Sequence, residues 1–262
     1  MKPLAITLGD PAGIGGEIIA RAFLQEPQRV AGCFVAGDLA HLRRAAGVVA
    51  GGGASLPVAR IDDPAQAMSV PPRCIPLLQV GPPAEALVDW GRVQAGAGRM
   101  AADAIAWAAG AALRGDVAGL VTAPLHKEAL AAAGLPYPGH TEMLQALAAD
   151  HVGIPVSRMP VRMMLASDEL RTVLVSIHVP LRQAIEAVTR DNILETVRIT
   201  HAALSRTLGR PPRVAVAGLN PHAGEGGLFG HEEAEAIAPA VAQARAEGMD
   251  VSGPHAPDTV FM

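Results

Sequence analysis

Short, continuously apolar runs alternate along this chain with stretches whose apolar residues recur at helical spacing, and this alternation constrains the fold more than any other feature. Parallel strands joined by crossover helices produce such an order, because a parallel sheet is covered on both faces and its strands lose the polar half of an alternating pattern. The runs predict strands over residues 4–8, 30–35, 74–80, 117–122, 161–165, 172–177 and 213–217, most of them too apolar for half-exposed antiparallel pairing. The clearest helix is predicted over 91–114, where Val93, Ala97, Met100, Ala104, Trp107, Ala108 and Ala111 fall at helical spacing and Gly115 supplies a stop. Its alanines let neighbouring elements approach closely. A second helix, over 190–208, has Thr189 placed to cap it, Ile193, Leu194, Val197 and Leu204 on one stripe, and Gly209-Arg210-Pro211-Pro212 to end it. Residues 50–72, rich in glycine and proline, read as a surface excursion. The predicted fold class is α/β.

A chain of 262 residues, half of them hydrophobic, can bury a substantial core, either as one large α/β domain or as two interleaved smaller ones. The 21 basic and 25 acidic residues leave a net charge of only −4, and no Lys/Arg run forms a patch that would hold a phosphate backbone or an anionic membrane. Nucleic acid and membrane are therefore not expected partners. Cys33 and Cys74 lack CxxC spacing and sit among apolar residues, so both read as small core residues. The N-terminal apolar run breaks at Gly9-Asp10-Pro11 before a signal-peptide core could form, and no apolar stretch reaches transmembrane length. A cytoplasmic location is the resulting expectation.

Four loops after predicted strands carry polar residues that a core does not need. The loop Gly218-Leu219-Asn220-Pro221-His222-Ala223-Gly224-Glu225-Gly226-Gly227 sets a histidine among glycines that let a chain wrap closely around a ligand. His178, in Ser176-Ile177-His178-Val179-Pro180, is expected in the same kind of position, so the two imidazoles could meet at one edge of a sheet and share a metal ion or a substrate. The alternative for His222 is a histidine that hydrogen-bonds its own loop. Gly9-Asp10-Pro11-Ala12-Gly13-Ile14-Gly15-Gly16-Glu17 is a strand-to-helix turn matching neither GxGxxG nor a Walker A loop, and it reads as a tight turn or an anion contact. In Thr122-Ala123-Pro124-Leu125-His126-Lys127 the lysine is an anion contact or a solvated first-turn residue. In Gly139-His140-Thr141-Glu142-Met143, Thr141 either caps a helix or lines a pocket with His140.

Taken in order, Gly9-Asp10-Pro11-Ala12-Gly13-Ile14-Gly15, Val121-Thr122-Ala123-Pro124 with Lys127, Gly139-His140-Thr141-Glu142, His178-Val179-Pro180-Leu181, Asn220-Pro221-His222-Ala223-Gly224-Glu225-Gly226-Gly227 and Pro257-Asp258-Thr259 resemble the 4-hydroxythreonine-4-phosphate dehydrogenase family of vitamin B6 biosynthesis. Each motif alone is weak; their succession over the whole chain carries the resemblance. It implies an isocitrate/isopropylmalate dehydrogenase-like fold, with two α/β domains around a central cleft, and a homodimer with shared active sites. It also implies that His178 and His222 are two of three divalent-metal ligands and that His140 and Thr141 bind substrate. Asp258 lies in a family motif without an assigned role. The implied reaction oxidises 4-phosphooxy-L-threonine with NAD or NADP and loses carbon dioxide to give 3-amino-2-oxopropyl phosphate. A divalent metal (Zn, Co or Mg) would acidify the reacting hydroxyl and polarise the ketone that follows.

The resemblance also sets up departures. Family members carry a third metal histidine and further substrate and dinucleotide contacts in a C-terminal segment, whereas this sequence has no histidine after His255 and no lysine or arginine after Arg245. The expectation is therefore a family member apparently lacking that segment. Gly16 stands where the family often has proline, which loosens the start of the first helix. Beside the leading reading stand a paralogous dehydrogenase of 4-phospho-D-threonate or 4-phospho-D-erythronate and a truncated, inactive homologue.

Overall fold

The computed structural model describes residues 2–261. The chain divides into two compact units, Met1–Pro160 and Val161–Met262.

In the first unit, β1 (Leu4–Thr7), β2 (Cys33–Gly37), β3 (Val58–Ile61), β4 (Ile75–Gln79) and β5 (Gly119–Thr122) form one sheet in the order β3-β4-β2-β1-β5. All its pairings are parallel, with Thr7 opposite Ala36 on one side and Thr122 on the other. The continuous apolarity of these strands follows from burial on both faces. On one face α1 (Gly15–Gln25) and α2 (Leu39–Ala50) press Ile19, Phe23, Leu42 and Ala46 onto Leu8, Cys33, Val35, Ile75 and Leu77. On the other, α3 (Ala95–Arg114) packs Ala108 and Ala111 against Ala5, Phe34, Ala36 and Leu78, and Phe34 meets Trp107 edge to face at 5.9 Å. Two further helices, α4 (Lys127–Ala132) and α5 (His140–Val152), follow β5, and Ile105 of α3 packs with Leu130 and Met143 from them.

The α3 expectation holds: the helix ends at Gly115, whose left-handed backbone (φ 78°) forms the C-cap. Two others need correction. Residues 50–72 contain β3, an edge strand pairing with β4 from Val58↔Ile75 to Ile61↔Leu78, because the short Val-Ala-Arg-Ile run finds a partner despite the flanking glycines and prolines. The second correction concerns Thr141. Helix α5 begins at His140 with Gly139 at its N-cap and no side-chain cap, so Thr141 lies exposed in the first turn instead of capping it.

The second unit has two small sheets. The strands β6 (Met164–Ala166) and β7 (Arg171–Val173) pair antiparallel, against the expectation of buried parallel strands there. Its strand from 172 ends at Val173; the Leu174 N–H still donates to the Met163 carbonyl at 3.1 Å, but residues 174–177 form no strand, so His178 follows an irregular segment. After α6 (Leu181–Glu186) comes α7 (Arg190–Leu208), where the Thr189 hydroxyl accepts from the Asn192 N–H at 3.3 Å, the predicted cap. The strand β8 (Val214–Ala217) pairs in parallel with β9 (Val251–His255), which follows α8 (Ala238–Ala246). The core joins Ile193, Leu194 and Val197 of α7 to Ile237, Ala240, Val241 and Ala244. No helix among the described residues is long and apolar enough to cross a membrane.

Candidate functional site

In the first unit the chemistry-bearing loops gather at the carboxyl end of the sheet. The sheet order reverses at β1, whose two parallel neighbours are β2 and β5, and open parallel sheets bind ligands where the order reverses. The loop after β1 meets the loop after β5 there: the Asp10 N–H donates to the Pro124 carbonyl at 2.9 Å. Gly9 must be glycine, because its φ is 74° and an added Cβ would lie 2.4 Å from the Pro124 oxygen. The Asp10 carboxylate, buried, accepts from the Ala12 N–H at 2.8 Å, so the loop closes as a tight turn on its own polar groups.

His140 stands beside the loop after β5. Burial holds its pKa below the ordinary imidazole value, opposed by a backbone hydrogen bond with Ala123, so the ring is neutral at pH 7. Its Nε2 is buried and meets no partner among the described residues. A neutral ring nitrogen facing no protein group has capacity left for a ligand. Thr141, the next residue, is exposed, and the stem of Lys127 runs beside the start of this helix, its Cε 3.9 Å from where a Cβ on Gly139 would sit. Exposed N–H groups of a helix start add a preference for anions.

A second buried network lies at the same sheet end. The Asp38 Oδ1 lies 2.6 Å from His41 Nδ1, and the Val88 N–H donates to His41 Nε2 at 3.1 Å. Because Nε2 accepts, Nδ1 carries the proton and the imidazole is neutral. Asp38 also caps α2 through the His41 N–H and accepts from Gln79 Nε2 and the Ala84 N–H, at 3.2 and 3.0 Å. Burial pushes its pKa up, but the hydrogen bonds from Ala84, His41 and Gln79 outweigh it and the net shift is downward. Arg44 extends the clamp, donating to the Val88 and Pro11 carbonyls at 2.5 and 2.9 Å and lying 4.3 Å from the Trp90 ring centroid.

In the second unit, His178 and His222 share an unusual backbone state. Their φ values are 55° and 54°, a region that non-glycine residues seldom enter, and Ala223 and Glu225 follow His222 into it. Such strain persists only where the surroundings over-determine it, and it concentrates at ligand sites. His222 follows β8 as expected, but His178 follows the β6–β7 pair, so the two do not end strands of one sheet. His222 Nδ1 lies 3.2 Å from Asp258 Oδ2, and among the described residues no hydrogen bond is made to its Nε2. A carboxylate behind one imidazole nitrogen, with the other open, is the usual setting of a metal-ligating histidine. The imidazole chemistry of His178 and His222 suits a divalent ion, although no three His, Cys, Asp or Glu side chains converge as a ligand group among the described residues. A cavity of about 490 Å³ in this unit, lined by residues such as Val173, Leu204, Val216 and Phe261, contains none of the predicted site residues.

Of the predicted site residues, His140 and Thr141 therefore belong to the first unit, and His178 and His222 to the second. Sequence reasoning missed the Asp38–His41 pair, which its i,i+3 spacing at a helix start could have flagged, and the partner of Asp258.

Comparison with known proteins places the chain in a family. The family described as pyridoxal phosphate biosynthetic protein PdxA matches residues 29–262. A 4-hydroxythreonine-4-phosphate dehydrogenase from Beijerinckia indica is 47% identical over 99% of this chain and 73% of its own length. A D-threonate 4-phosphate dehydrogenase from Salmonella typhimurium is 41% identical over 100% of this chain and 76% of its own length. The crystal structure of 4-hydroxythreonine-4-phosphate dehydrogenase from Klebsiella pneumoniae superposes with a TM-score of 0.88 at 40% identity, covering 100% of this chain and 76% of that one.

Proposed function

The chain belongs to the PdxA family of dehydrogenases, and from that premise we propose that it takes part in the divalent-metal- and NAD(P)-dependent oxidation, with decarboxylation, of 4-phosphooxy-L-threonine to 3-amino-2-oxopropyl phosphate. The observation that carries the reading is the pair of left-handed histidines, His178 and His222, the second with Asp258 at its Nδ1.

On this reading His178 and His222 hold the metal, and the Asp258 carboxylate, 3.2 Å from His222 Nδ1, favours the tautomer that keeps the Nε2 lone pair for the ion. A divalent ion, when bound, supplies Lewis-acid polarisation of the oxygen being oxidised. His140, kept neutral by burial, offers its unpartnered Nε2 to a polar group of the substrate, and Thr141 adds a hydroxyl from the first turn of α5. The start of that helix, with Lys127 alongside, suits the substrate's phosphate. The protein acts as a homodimer, the assembly that the family resemblance implies.

A relative named for D-threonate 4-phosphate supports a second substrate reading, in which carbon 2 bears a hydroxyl instead of an amino group. Purified protein supplied with zinc or cobalt is assayed for NADH and NADPH formation on 4-phosphooxy-L-threonine and on 4-phospho-D-threonate. Faster turnover of the amino acid supports the first reading, faster turnover of the sugar acid the second, and silence on both refutes each.

A further inference from the structure

The loop that carries His222 is held from outside itself. Glu233 is 6% exposed, and its carboxylate takes up three donors from the two residues that lead into the loop. Oε1 accepts the backbone N–H groups of Leu219 and Asn220, both at 2.8 Å, while Oε2 accepts Asn220 Nδ2 at 2.9 Å. Oε2 also seats the far side of the loop: a Cβ on Gly224, whose φ is 77°, would lie 2.7 Å from it. Asn220 Nδ2 is shared with Glu232 Oε2 at 2.8 Å, but only Glu233 also takes the two backbone N–H groups, so His222 sits between Asn220, bonded to that carboxylate, and Gly224, whose backbone leaves no room for a side chain beside it.

Glu233 itself is rigidly based. It opens a single π-helical turn, Glu233–Ile237, that runs into α8, and Ile237 at the end of that turn is buried in the core with Ile193, Leu194 and Val197. An extra residue in a helical turn is uncommon and recurs at functional sites. Burying a carboxylate is costly unless its oxygens are satisfied, and hydrogen bonds to a charged acceptor are about twice as strong as neutral ones. An anchor of this strength is what a run of left-handed non-glycine residues needs, since each costs about 1–3 kcal/mol and relaxes once the surroundings let go.

We infer that Glu233 is a positioning residue for the proposed metal centre: its buried carboxylate holds the 218–224 segment so that the strained His222 presents Nε2 to the ion. The inference rests on the reading of His222 as a metal ligand, and the experiment separates the two. Wild type, E233Q, H222A and the exposed control E235Q are compared by cobalt(II) titration, followed calorimetrically and by visible absorption, and by amide hydrogen exchange at Leu219 and Asn220 without metal. E233Q keeps the size of the side chain but turns one oxygen into a donor that opposes Asn220 Nδ2. With its remaining oxygen a weaker, neutral acceptor, it is expected to lower exchange protection at both amides and to bind cobalt about 10–100-fold more weakly, the range seen for groups that orient metal ligands. H222A is expected to lose cobalt while keeping the protection, and E235Q to change neither. Cobalt lost in H222A but retained at wild-type affinity in E233Q, or unchanged exchange in E233Q, overturns the role of Glu233 alone. Cobalt binding unaffected in H222A overturns the metal reading beneath it. Should E233Q fold poorly by circular dichroism, E233D keeps the charge and withdraws it by one methylene, and the same two losses are expected.

Discussion

Asp258 Oδ2 lies 3.2 Å from Nδ1 of His222, which sets a carboxylate beside one ring nitrogen of an earlier loop histidine. Removing the charge while keeping the shape tests that link. D258N should weaken divalent-metal binding about tenfold or more, as expected for a group that orients a ligand imidazole, with little change in thermal stability because the pair is half exposed. Wild-type zinc affinity in D258N would show that the contact does not orient the ring.

Alanine at His178 or at His222 should each lower bound zinc or cobalt per chain, read by elemental analysis after dialysis. Both positions have φ near 55°, so glycine variants are the complementary control. H178G and H222G relieve backbone strain and should keep or raise the melting temperature while still losing metal.

His140 gives a pH signature. Its folded pKa lies below the ordinary value of about 6.5, so the unfolded chain binds the proton first as pH falls. The stability tied to its neutral ring is therefore fully present above pH about 6.5 and declines as pH falls below that toward the folded pKa. Denaturant midpoints measured between pH 7.5 and 5 should show a weaker acid decline in H140N than in wild type. Parallel slopes would mean that His140 is not held neutral. In the assay, H140N should raise KM more than it lowers kcat if the ring binds substrate.

The Asp38–His41 clamp should matter to stability more than to binding. H41A strips a buried carboxylate of a donor and the Val88 N–H of its acceptor, at a cost of about 1–3 kcal/mol in urea unfolding. Limited proteolysis should then cut within residues 80–94 faster than in wild type. A variant with unaltered midpoint and cleavage would remove the clamp from the account.

Core packing is a separate test of the sheet. Leu77, fully buried on β4 among Val35, Leu42 and Ile75, should cost about 2–5 kcal/mol on replacement by alanine, measured by chemical denaturation.

Periodicity made α3 and α7 legible, because a long apolar stripe with a glycine stop admits one reading, and it located the buried strands β1, β2, β4 and β5 to within a few residues. It failed at β3 and at residues 174–177. Whether a short apolar run joins a ladder depends on a partner elsewhere in the chain, and Val58–Ile61 found β4 while 175–177 joined no strand. The site divided in the same way. Order and residue type were enough to mark His140, Thr141, His178 and His222 and to identify the family, since side chains that do chemistry must be of particular kinds in particular loops. What surrounds them was not readable: the buried state that keeps His140 neutral, the Asp258 carboxylate behind His222, and the three donors converging on Glu233. Burial and hydrogen-bond geometry arise from residues far apart in the chain, so which residues are present was a property of the sequence, and how each is held was decided by the tertiary structure.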